Sequence, residues 1–182
     1  DKYYPSGTRN YARVVANDAY QGAANAEFAQ KQGVKSVYVL NDKEAYGLGV
    51  ATNFRGAAES LEIEIAGFEA YDPKASSYEA IFKKVQASGA DAVFIGGLIC
   101  ENGAQLIKDK VAVLGPNDGD VKLLTPDGFA TQQTIDDAGS ASAGMFMSVA
   151  GQPIDQFEGV AKEFADTFSK DFLNGGVIDP YA

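Results

Sequence analysis

Short apolar runs alternate along this chain with longer stretches in which apolar positions recur every three or four residues. The runs are Ser36 to Leu40 (Ser-Val-Tyr-Val-Leu), Asp91 to Ile95, Val121 to Leu124 and Met145 to Val149. Their length and continuous apolar character predict strands buried on both faces of a parallel sheet. Glu62 to Ala66 reads Glu-Ile-Glu-Ile-Ala, the period-two pattern of a strand with one more exposed face. Tyr11 to Ala16 is read as one further short strand ahead of these.

Helical stretches fill the spaces between the runs. Asn17 or Asp18 is placed to cap a helix reaching about Gln32, and Gly33 to stop it. Further helices are expected over about 46–60, from Ser76 or Ser77 onward, over about 103–114 up to the Gly115-Pro116 break, and over about 155–173. Tyr78, Ile81, Phe82 and Val85 fall at i, i+3, i+4 and i+7, forming one apolar stripe. In the last helix Phe157, Val160, Phe164, Phe168 and Phe172 share a face. Strands alternating with helices predict the α/β class, a doubly wound parallel sheet with helices on both faces. A chain of 182 residues holds one such core and not two of ordinary size, so residues 1–182 are read as a single domain. In open parallel sheets ligands sit beyond the carboxyl ends of the strands. Here that means the loops 41–46, 96–102 and 125–129.

Composition narrows the chemistry. Fifteen Lys and Arg stand against 25 Asp and Glu, a formal net charge of −10. That balance argues against nucleic acid and anionic membrane surfaces as partners, both of which need basic patches. No apolar run approaches the roughly 18 residues that span a bilayer, and the opening Asp-Lys-Tyr-Tyr-Pro-Ser-Gly has no signal-peptide pattern. The chain has no His, which removes His-dependent triads and His-based zinc sites. Cys100 is the single cysteine, so no intrachain disulfide forms. Neither a metal nor a cofactor is expected, and binding is a better expectation than catalysis.

Three groups of residues lie on the ligand-side loops. Asp42, Tyr46, Gly47 and Gly49 stand between a strand and a helix. Tyr46 offers a flat apolar face and a hydroxyl, and the glycines leave N–H groups at the positive end of a helix. Equally, Asp42 caps the loop while the glycines permit close packing. A dinucleotide fingerprint fails here, because Thr52 replaces the third glycine and the glycines start too far beyond the strand. The second group is Gly96-Gly97-Leu98-Ile99-Cys100-Glu101. Its glycines allow a ligand or another backbone to come close, and Glu101 is read either as an acceptor for an ammonium group or as a helix-start carboxylate. The third is Thr125-Pro126-Asp127-Gly128-Phe129, first of all a turn signal. Asp127 nevertheless lies at the end of the sheet that suits it to join Glu101 and Tyr46.

Taken in order, several segments resemble the branched-chain amino-acid-binding (leucine/isoleucine/valine-type) family of type I periplasmic binding proteins. They are Arg13 to Gly22, Val37 to Asp42, Tyr46-Gly47-x-Gly49 with Phe54, Phe94 to Gly97 with Glu101-x-Gly103, Pro126-Asp127-Gly128 and Gly144-Met145-Phe146. The resemblance implies one of two lobes that close over a small solute, here the second, with 1–16 and 177–182 as crossover segments to a missing first lobe. It implies extracytoplasmic localisation and, as partners, an amino acid or similar solute and the membrane subunits of an ABC importer. Carried over by position, Tyr46 corresponds to the ligand-contacting aromatic, Glu101 to the partner of the ligand's ammonium and Asp127 to a second acidic candidate. Gly97 and Leu98 complete the set; Leu98 and Ile99 stand where some relatives carry aromatic residues. A sensor domain of the same fold is the alternative, with a nucleotide-binding enzyme behind it.

Overall fold

The computed structural model describes residues 4–10, 12–13, 15–152 and 154–172. Five parallel strands form one sheet in the order β2-β1-β3-β4-β5. They are β1 (Ser36–Asn41), β2 (Glu64–Ala70), β3 (Ala92–Gly96), β4 (Lys122–Thr125) and β5 (Phe146–Met147). The helices are α1 (Asp18–Lys31), α2 (Ala45–Ser60), α3 (Glu79–Ser88), α4 (Ala104–Leu114), α5 (Gln132–Ala138) and α6 (Gly159–Phe172).

Successive side chains of a strand face opposite ways, and both faces of this sheet are covered. Val37 and Val39 of β1, Phe94 of β3 and Leu124 of β4 meet α1 and α2 on one side, where Val50, Phe54 and Ala58 are buried. The Phe54 and Phe94 rings stack there at 4.0 Å. Tyr38, Leu40, Val93, Ile95 and Leu123 face the other way, onto Phe82 and Val85 of α3 and Leu106 and Ile107 of α4. The expected doubly wound α/β architecture is therefore the observed one.

Helix α1 starts where the sequence places it: the Asn17 side chain accepts from the N–H groups of Ala19 and Tyr20, and Gly33 takes φ +80° beyond the end. Other boundaries differ. The strand expected at 62–66 begins later, because Glu62 adopts φ +59° and closes α2, with Ile63 N donating to Ala58 O at 2.9 Å. It then runs on to Ala70. A Cβ at Gly67 would lie 2.3 Å from the Tyr38 ring, next to the irregularity in pairing between Val37 and Tyr38. Of the strand expected at 11–16, the described residues Ala12, Arg13, Val15 and Ala16 are irregular, while Tyr11 and Val14 lie outside the described residues. The strand expected at 145–149 is reduced to two residues. Helix α5 was not expected; seven residues with few apolar positions carry too little periodicity to announce it. The final helix starts at Gly159, after a short 3₁₀ turn at Ile154–Gln156, and Leu173 lies outside the described residues.

At the end of the sheet opposite the ligand-side loops, the Lys110 side chain is wholly buried. Its ammonium donates to the carbonyls of Gly115, Pro116 and Val121 at 3.0, 2.9 and 2.5 Å, tying the end of α4 to the approach to β4. Burial pulls this ammonium down to about 8.

Candidate functional site

The strand order reverses direction between β1 and β3. The chain leaves β1 towards β2 on one side and returns to β3 on the other. This reversal opens a crevice at the carboxyl ends of the two strands, where doubly wound sheets bind their ligands. Asn41 and Asp42 follow β1; Gly97 to Glu101 follow β3. The two loop starts are joined directly, since Asp42 N donates to Gly96 O at 3.2 Å.

Glycines determine how tightly these loops pack. A Cβ at Gly96 would stand 2.3 Å from Gly47 O, and one at Gly47 would stand 2.2 Å from Asp42 Oδ1. The first turn of α2 is thus pressed onto the end of β3, with the Asp42 carboxylate beneath it. Asp42 Oδ1 also accepts from Glu44 N at 2.9 Å. The loop-capping role for Asp42 and the packing role for Gly47 are what the structure displays, and a carboxylate already occupies the space an anion would need.

Tyr71, just past the end of β2, completes this floor. Its N–H donates to Asn41 O at 2.8 Å, and its hydroxyl would lie 2.5 Å from a Cβ at Gly97. Both the Tyr71 hydroxyl and Asp42 Oδ2 are buried without a hydrogen-bond partner. Burial raises the Asp42 carboxyl above its ordinary value, and the nearby Glu101 charge adds to the rise. Burial likewise drives the Tyr71 phenol far up, with the Asp42 and Glu101 charges contributing. Glu101 is therefore an electrostatic neighbour of both.

Glu101 sits in a wide turn, Ile99–Gly103, that precedes α4 rather than within the helix itself. Asn102 takes φ +61° there, and its amide donates to Ala75 O at 2.8 Å and to the Tyr78 hydroxyl at 2.9 Å. These bonds hold the turn so that Glu101 stays half-exposed at the crevice. Leu98 is half-buried and packs against Gly128, where a Cβ would lie 2.5 Å from Leu98 Cδ2. The third loop is thereby docked onto the second.

Tyr46 and Asp127 also come together. The Tyr46 hydroxyl donates to Asp127 Oδ1 and lies 3.1 Å from Gln21 Oε1. Gln21 Nε2 donates to the same Asp127 Oδ1 at 2.5 Å. Burial and the Asp127 carboxylate push the Tyr46 phenol far above its usual range. Sequence reasoning missed Gln21 and Tyr71. A glutamine in the first turns of a helix carries no outward sign of such a role, and Tyr71 follows a strand whose end had been placed at Ala66.

Among the described residues, ion pairs form at Arg13–Asp18, Lys83–Glu79, Lys84–Glu69 and Lys162–Asp166; none involves Asp42, Glu101 or Asp127. No group of three or more potential metal-binding side chains occurs among them, and no helix is long and apolar enough to cross a membrane. The described residues thus form an α/β fold with an acidic crevice at its switch point.

The chain belongs to the periplasmic binding protein family, which it matches over residues 4–180. It is 30% identical over 138 residues to the leucine-, isoleucine-, valine-, threonine- and alanine-binding protein of Pseudomonas aeruginosa, a match that covers 75% of this chain and 36% of that protein. Its fold is that of the leucine-binding protein LivK from Thermotoga maritima, with a TM-score of 0.76, 23% identity, and coverage of 88% of this chain and 45% of the other. It is also similar to LivJ of Streptococcus pneumoniae, solved in complex with isoleucine, with a TM-score of 0.71, 18% identity, and coverage of 87% and 44%. The chain thus spans less than half the length of these relatives.

Proposed function

We propose that this chain is the second lobe of an extracytoplasmic solute-binding protein that delivers an amino acid to the membrane subunits of an ABC importer, and that it is not an enzyme. The observation that carries the reading is the charge at the switch point. Glu101 and Asp42 converge there with no ion-pair partner among the described residues, and a ligand ammonium is the group that would complete the site. A carboxylate or phosphate ligand meets repulsion at the same place. Similarity to the P. aeruginosa relative and to the isoleucine-bound LivJ supports an amino acid as the ligand class.

In this reading Glu101 pairs with the ammonium, the Tyr46 ring covers the aliphatic part, and Leu98 with the backbone at Gly97 lines the wall. A first lobe, contributed by the rest of the full-length protein, binds the carboxylate end. Ligand then selects the closed arrangement by touching both lobes. Truncating one partner of such a buried charge pair costs about 2–5 kcal/mol.

Calorimetric titration of the full-length protein with leucine, isoleucine, valine and alanine tests this, alongside the 182-residue chain alone. Tight binding by the former, its near-loss in the latter and a large loss in Glu101→Gln are expected. Binding of simple carboxylates in place of amino acids sinks the ammonium assignment.

A further inference from the structure

We infer that Asp127 is a positioning residue for Tyr46 rather than a second partner of the ligand's ammonium. This rests on the reading above, in which the Tyr46 ring covers the ligand.

The inference comes from the way Asp127 is used. Its Oδ1 receives two donors at once, the Tyr46 hydroxyl and Gln21 Nε2. An O–H bond to a carboxylate is among the stronger hydrogen bonds a protein makes. The three residues come from α1, the first turn of α2 and the loop after β4, so the cluster ties three elements at one point. Tyr46 is gripped at both ends. Its backbone is fixed in α2, its ring packs against the apolar cluster on that face, and its hydroxyl donates to Asp127, which Gln21 Nε2 holds in turn. A tyrosine held this way surrenders no rotamer freedom when a ligand arrives, which favours affinity without any added contact. Asp42 Oδ2, by contrast, has no donor at all. Of the acidic groups on these loops, Asp127 is the one whose carboxylate is met by two side-chain donors.

Gln21 takes part from the opposite side. It is buried on α1 one turn ahead of Asn25, whose amide donates to Ser148 Oγ at 2.8 Å. The same helix face therefore fixes both the Tyr46 anchor and the segment leaving β5.

A double-mutant cycle in the full-length protein tests the inference, with leucine as the probe. Asp127→Ala should weaken leucine binding about tenfold, the size of a typical coupling between contacting side chains. In a Tyr46→Phe background, where the hydroxyl is gone, the same change should cost less than about twofold. Asp127→Asn keeps an oxygen that accepts from both donors and should restore most of the affinity. Equal losses in both backgrounds, or an Asn variant as weak as the Ala variant, would overturn the inference in favour of a direct charge contact.

A second readout does not depend on ligand identity. In the 182-residue chain, the Tyr46 phenol is followed by alkaline absorbance titration as the difference between wild type and Tyr46→Phe. Asp127→Asn should bring that titration down towards the ordinary tyrosine range. An unchanged titration overturns the positioning role. If the full-length protein binds no amino acid, the functional reading fails and this titration still decides the role of Asp127.

Discussion

Tyr78, which precedes α3, and Phe82 and Val85 within it are shut away between the sheet and α4, each at most 1% exposed. In α6, Val160, Phe164 and Phe172 occupy an equally regular stripe and remain 82%, 56% and 72% exposed. The α6 aromatics stack on one another, Phe164 on Phe168 at 5.7 Å and Phe168 on Phe172 at 5.2 Å, and Ala165 is the buried residue of that helix. In both, the apolar side chains recur every three or four residues, and only the surroundings differ. An amphipathic pattern states which face of a helix is apolar; it does not state that the same polypeptide supplies the cover.

The sharpest way to break this contrast is to truncate one aromatic on each helix. Phe82→Ala removes a wholly buried ring and should cost about 3–5 kcal/mol in urea unfolding. Phe164→Ala should change stability by no more than about 0.5 kcal/mol, as exposed positions do. Comparable losses from the two would show that α6 is packed after all.

A smaller but definite effect is expected where the site loops close on each other. Gly96→Ala drives a methyl into the carbonyl of Gly47 and should cost about 1–3 kcal/mol, whereas Gly56→Ala, with open space around it, should be neutral or mildly stabilising in thermal melts.

The phenols give a pH test of the body of the chain. Burial and Glu69 push Tyr38 up to about 12, and Tyr46 and Tyr71 are raised further. A raised tyrosine contributes stability that is fully present below the unfolded value of about 10 and is lost as pH climbs through the folded one. The melting temperature should therefore fall from pH 10 upward, and Tyr71→Phe should flatten the fall.

Much of the architecture was legible because buried strands need continuous apolar runs. Ser36 to Leu40 and Asp91 to Ile95 bury as read, and Asn17 caps α1 by the chemistry its side chain offers. The site was only partly legible. Tyr46, Glu101 and Asp127 were picked from their places at strand ends, which the fold rule supplies without knowing their neighbours. The link between Gln21 and Asp127, 106 positions apart in sequence, depends on how α1 crosses the sheet. The contact between Tyr71 and Gly97 depends on an edge strand that outlasts its alternating pattern. Local periodicity contains neither fact.

Cys100 stands exposed in the turn after β3, one residue from Glu101, and it is the sole thiol in the sequence. A maleimide dye would therefore attach at a single place, beside the acidic crevice. This chain carries its own address for a fluorescent reporter at the crevice, with no cysteine of its 182 residues to add or remove.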